Sequence, residues 1–320
     1  MMLSMGEFNN TVKRDLAGFL PADMAENAVI DHVEVVKIND QKLHGITIRE
    51  SGENAAMTFY LDDMFERYES GEDIGIIMTE LAAAYEQNRH AVRPPEVDLS
   101  WEELKDDLTV RVVEKQRNRE FLRERPYVDV GNGLAVICDI NMGEDRGGDW
   151  RIGVTRSVLE AMNVDAEMLF SVAMERAVVN DPPVLTDMSQ ALFSPDKANL
   201  LDRDEKIAPG DINGMFVLTN ESGSFGAAAL FYPDVKEKAA ELLGSGYYVL
   251  PSSTHEVILV PETAGIAEKE LCDMVKQANR TVVDEKDILS DNVFRYDMEG
   301  RRLEMVSGDP ERGDRVAEAR

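Results

Sequence analysis

The chain has 320 residues, 43% of them hydrophobic, so it can bury a substantial core, and its length exceeds what one core usually serves. Acidic residues outnumber basic ones 62 to 34, and a formal net charge of -28 sets phosphate backbones and anionic lipid surfaces at a disadvantage as partners. Met1 to Phe8 carries Glu7 and no apolar run, and no stretch approaches the roughly 18 uninterrupted apolar residues of a membrane span, so neither a secretory signal nor a transmembrane segment is expected.

Phe8, Val12, Leu16 and Leu20 recur every fourth residue, which predicts a helix that Pro21 stops. Three strand-like runs follow, Val29 to Ile38, Leu43 to Ile48 and Ala55 to Leu61. Asn39, Asp40, Gly52 and Asn54 stand between them as turn formers, so an antiparallel meander is expected. Asp62 is placed to cap a helix carrying Met64, Phe65 and Tyr68, and Gly71 breaks it before a second helix, from Glu72 to about His90. Arg93, Pro94 and Pro95 mark a boundary. Ser100 with Glu103 reads as a capping box opening a long amphipathic helix to about Glu124. That segment holds the one notable basic cluster, Arg111, Lys115, Arg117, Arg119, Arg123 and Arg125. Interleaved Glu114, Glu120 and Glu124 make it a self-paired solvated face rather than an anion site.

Beyond Pro126 the pattern predicts strands at Leu134 to Ile140 and Trp150 to Thr155, then helices at Ser157 to Met162 and Asp165 to Val178, the latter capped by Asp165. Asn180 to Asn213, with four prolines, reads as irregular chain or hidden short helices. Strands are then expected at Met215 to Thr219, Ala227 to Tyr232, Tyr247 to Leu250 and Glu256 to Val260, with helices at Asp234 to Leu243 and Ile266 to Asn279. Paired strands followed by a helix, twice over, argue for an α+β class, mainly antiparallel sheets with helices packed on one face, in two lobes. Residues 1–95 would form one domain and 100–306 a second, with 307–320 a charged tail.

The densest polar constellation is Pro251-Ser252-Ser253-Thr254-His255-Glu256, between two apolar strands. Hydroxyls, an imidazole and a carboxylate could supply a nucleophile, a base and an orienting group. Neighbours on an extended chain point to opposite faces, however, and a hairpin turn accounts for the same residues. The loop from Asn141 to Asp149, with Asp139, offers oxygen ligands but no complete calcium-loop spacing. Gly223 and Gly226 would lead into another strand, so they offer no helix N-terminus for a phosphate. His32 and His44 could meet across the first hairpin, but the histidines show no metal-ligand spacing. The two cysteines, Cys138 and Cys272, read as buried thiols in a reducing cytoplasm, and the 16 methionines as core fillers. No metal or cofactor is expected.

The segment Tyr247-Tyr-Val-Leu-Pro-Ser-Ser-Thr-His-Glu-Val-Ile-Leu-Val-Pro261 resembles a family of uncharacterised bacterial proteins, common in gut anaerobes, classed only as a domain of unknown function. Val217 to Asn220, Gly226 with Leu230 to Pro233, Asn279-Arg280 and Ser290 to Asp297 stand in matching order. The resemblance implies a bacterial origin and makes Ser252, Ser253, His255, Glu256 and Asp291 the first places to look for a site. The function expected is non-catalytic, intracellular binding of a protein or small-molecule partner. A hydrolase-like enzyme at that turn and an acidic mimic of DNA stand as alternatives.

Overall fold

The structure is a computed structural model describing residues 2–51, 56–88, 98–143, 151–193, 198–203, 205–207, 214–251 and 253–306, with side chains 192 and 193 excepted. The chain divides into two compact units, Met1–Val97 and Asp98–Arg320, and belongs to the α+β class.

In the first unit, helices α1 (Met5–Asp15) and α2 (Ala22–Ala25) precede the meander β1 (Ala28–Val36), β2 (Lys42–Glu50) and β3 (Met57–Tyr60). Ser4 and Glu7 close a capping box at the start of α1. Phe8, Val12 and Leu16 are fully buried among Ile46, Ile48, Leu61 and the inward side of α4 (Ile74–Asn88). Helix α3 (Asp62–Glu69) starts at Asp62, but its cap position is Leu61. The Asp62 carboxylate turns instead to β2, accepting the His44 backbone N–H at 2.9 Å and meeting its Nδ1 at 3.1 Å.

In the second unit the long helix expected from Ser100 to Glu124 is absent. One helical turn, α5 (Trp101–Leu104), lacks the expected side-chain cap, and the chain then enters β4 (Leu108–Glu114). Leu-Thr-Val-Arg-Val-Val alternates inward and outward and is rich in β-branched residues, which suit a pleated, half-buried surface better than a helix. Strand β4 pairs with β6 (Leu134–Asn141). The other edge of β6 is shared by β5 (Val128–Gly131) and β7 (Arg151–Gly153).

Helices α6 (Arg156–Met162) and α7 (Ala166–Asn180) follow, α7 capped by Asp165 and lying against β4. The stretch expected to be irregular contains β8 (Pro183–Asp187) and α8 (Met188–Phe193). With β9 (Phe216–Asn220), β10 (Tyr247–Leu250), β11 (Val257–Pro261), β12 (Val293–Asp297) and β13 (Arg302–Val306), β8 forms an antiparallel sheet ordered β13-β12-β10-β11-β9-β8. The strand expected at Ala227 to Tyr232 is a 3-10 helix, Gly226–Phe231, followed by α9 (Val235–Leu243). A Cβ on Gly226 would come within 2.6 Å of the Asn220 backbone nitrogen. Gly226 and the three alanines after it let this helix lie directly on β9.

Helix α10 (Glu268–Thr281) buries Leu271, Cys272 and Val275 against Leu250, Val260 and Val293, covering one face of the sheet along its middle strands. The sheet register aligns Leu250, Ile258, Val217 and Thr186 in one cross-strand row. Leu250 and Ile258 pack into the α10 cluster, whereas Val217 and Thr186 lie on the floor of an open cleft that Ile258 also borders.

Candidate functional site

Residues 251–256 are the hairpin connection between β10 and β11, whose register begins at Leu250 and Ile258. Ser252 lies outside the described residues. The Ser253 hydroxyl accepts the backbone N–H of His255 at 3.0 Å, and the Ser253 N–H reaches the Glu256 carbonyl at 3.3 Å. Both are local turn bonds that stabilise the bend.

The imidazole of His255 is engaged at both nitrogens. The backbone N–H of Phe225 donates to Nδ1 at 3.2 Å, and Nε2 stands 3.4 Å from Asp287 Oδ1. An Nδ1 that accepts is unprotonated, so the geometry assigns the tautomer carrying its proton on Nε2, facing Asp287. The ring also stacks on Phe225, with centroids 5.2 Å apart at 27°. His255 therefore ties three segments together through both ring nitrogens and its ring face. Asp291 has other partners: its carboxylate receives the Arg117 guanidinium and the Asn279 amide, the latter at 2.9 Å. Burial opposes its charged form, but Asn279 and Arg117 outweigh burial and hold its carboxyl below the usual range. Of the five expected site residues, Ser253, His255 and Glu256 share the turn, while the carboxylate at the imidazole is Asp287, which no local spacing in the sequence pointed to.

Phe225 occupies the left-handed region, φ 54°, an uncommon place for an aromatic residue. Its ring takes His255 on one contact and two guanidiniums on others, Arg111 at 4.3 Å and Arg151 at 5.0 Å from the centroid. Arg111 also pairs with Asp139, a fully buried carboxylate on β6 that Arg125 approaches at 3.5 Å. Gly153, opposite Asp139 on β7, leaves the space Arg125 needs, since a Cβ there would collide with its guanidinium. The basic cluster is thus dispersed through the tertiary structure instead of lining a solvated helix. Arg117 pairs with Glu114 and Asp291, and Lys115 with Asp129.

Beside the turn lies the cleft, a cavity of about 730 Å³. Its floor is the outer part of the sheet beyond α10, Val184 and Thr186 of β8 with Val217 and Thr219 of β9, bordered by Ile258 of β11, which also packs into the α10 cluster. Met188 and Ala191 of α8 form an apolar side, and Asp202, Glu221 and Glu256 supply carboxylates. Asp181 fixes the β9 end of the rim: its carboxylate accepts the Ser222 N–H at 2.9 Å, the Ser222 hydroxyl at 2.7 Å and the Asn220 amide at 2.6 Å. On the β11 side, the Thr219 hydroxyl donates to the His255 carbonyl at 2.8 Å, so the hairpin turn and the cleft share a wall. Composition and spacing pointed to the turn, but the cleft assembles residues from four separated stretches of chain.

Among the described residues no group of three or more His, Cys, Asp and Glu side chains could hold a metal ion, and no helix is long and apolar enough to cross a membrane. His90 and the acidic loop residues 144–149 lie outside the described residues, as do residues 93–95 and the 307–320 tail. A family model described as Family of unknown function (DUF5688) matches residues 5–298. The chain belongs to this family. The DUF5688 match spans the hairpin turn and every residue of the cleft but stops before β13. No curated protein and no solved structure matches the chain.

Proposed function

We propose that this DUF5688 protein is a non-catalytic binding protein whose ligand seats in the cleft over β8 and β9. The cleft carries the reading: about 730 Å³ falls within the range of small-molecule sites, and an apolar floor with a few fixed polar groups is their usual lining. Location in a reducing cytoplasm accords with two free, buried thiols. A protein partner remains the alternative occupant.

The competing reading is a hydrolase using Ser252 or Ser253, His255 and Glu256. Full engagement of the His255 ring weighs against it, because a general base needs a nitrogen within reach of the proton it removes. No feature beyond the net charge favours a DNA mimic. The test is a thermal-shift screen of the full chain against a metabolite panel, with p-nitrophenyl acetate turnover followed alongside. Binding predicts a ligand that raises Tm in the native chain but not in Val217→Lys, which fills the floor, and ester turnover no faster in the native chain than in His255→Gln. Turnover that disappears in a folded His255→Gln protein would sink the binding reading in favour of the hydrolase.

A further inference from the structure

We infer that the cleft selects a small aliphatic polyamine. This rests on the binding reading above and adds the chemistry of the occupant. None of the described residues lining the cleft is basic, while Asp202, Glu221 and Glu256 are acidic, and no ion pair among the described residues neutralises any of the three. The carboxylates stand at separate parts of the lining. Asp202 ends the short helix Leu200–Asp202 packed beside β8, Glu221 follows the end of β9, and Glu256 precedes β11. Between them run Val184, Val217 and Ile258, with the hydroxyl-bearing Thr186 and Thr219. At roughly 4.8 Å between neighbouring strands, the floor from β8 to β11 is about 10 Å across. A linear polyamine matches this alternation, with methylene runs on the valine and isoleucine surface and ammonium groups at the carboxylates. The strongly negative chain also concentrates small cations near its surface.

The free edge of β8 argues against the other cationic occupant, a basic peptide adding as a strand. Asn199 already occupies that edge: its amide nitrogen donates to the Pro183 carbonyl at 3.0 Å and its oxygen accepts the Leu185 N–H at 3.0 Å. Two of the backbone groups a peptide strand would need are therefore taken. A ligand lying on the sheet face needs none of them.

The experiment is titration calorimetry of the full chain with spermidine at about 0.15 M salt, where the Debye length is about 8 Å and diffuse attraction is damped. One saturable site is expected. Glu221→Gln with Glu256→Gln should weaken it by roughly tenfold or more, Val217→Lys should abolish it, and the charge-matched Glu69→Gln with Glu86→Gln in the first unit should leave it unchanged. Binding that is multivalent, or that falls equally in the control pair, overturns the inference, because the general field then explains it. If spermidine does not bind but the uncharged probe 1,6-hexanediol does, and Val217→Lys removes that binding, the polyamine inference fails while the cleft reading stands. If neither probe binds and the metabolite panel also finds no ligand for the cleft, both fall. Circular dichroism of each variant confirms folding, and the glutamine pair, which changes charge with little change of shape, keeps the test decisive if Val217→Lys unfolds.

Discussion

Asp139 is a carboxylate with no exposed surface, held between Arg111 and Arg125, whose side chains are only 14% and 16% exposed. Burying one acid with two bases costs desolvation that their attraction repays only while the set is complete. Replacing Asp139 with Leu strands two guanidiniums and should cost about 3–5 kcal/mol in urea unfolding; a loss under about 1 kcal/mol would mean that both swing out to water. Gly153→Ala should act in the same direction by displacing Arg125 from its channel. Within the same strand, burial pushes the Cys138 thiol well up, so it behaves as a small apolar side chain. The arginines were visible in the sequence, but their partners were misassigned. Spacing along the chain named Glu114, Glu120 and Glu124, whereas for Arg111, Lys115 and Arg117 the fold supplies Asp139, Asp129 and Asp291 from other strands and turns, with Glu114 also held by Arg117.

At the scale of elements, β8 ends its sheet and would present unpaired backbone groups to other chains. Asn199 covers two of them with its side-chain amide while its oxygen also accepts the Leu201 N–H at 3.1 Å. Asn199→Ala should lower stability by about 1–3 kcal/mol and raise light scattering at high protein concentration, since an opened edge invites strand pairing. Unchanged stability and scattering would mean that water covers the edge equally well. Elements whose burial is periodic were legible: α1 from its four-residue recurrence, the first meander from its turn residues, and β10 and β11 from their apolar runs. Two elements were misread for identifiable reasons. From the end of α5 into β4, Leu104, Leu108 and Val112 imitate a helical stripe, while the β-branched residues of β4 belong to a strand. At Gly226–Phe231 five consecutive residues, Gly226 to Leu230, are buried, and so local an apolar run cannot distinguish a strand from a tightly packed helix.

For the whole molecule, a net charge of -28 means that folding gathers like charges into a smaller volume. Raising sodium chloride from about 0.05 to 0.5 M should screen that repulsion and lift Tm by roughly 2–4 °C, equivalent to about 1 kcal/mol in a domain of this size. A fall in Tm over the same range would mean that the ion pairs outweigh the general repulsion. The salt experiment also bears on ligand binding, because the cleft carboxylates belong to the same negative field.

Composition and periodicity by themselves determined the α+β class, the antiparallel first meander and the position of the hairpin turn at Pro251 to Glu256, since each depends on residues close together in the chain. Only the tertiary structure decided what His255 in that turn meets. His255 meets Phe225 and Asp287, each about thirty residues away, one at each ring nitrogen. The cleft beside it was equally beyond local reading. It exists because α10 stops short of β8 and β9, and the extent of one helix over a sheet is set by packing among distant segments rather than by the pattern of any one of them.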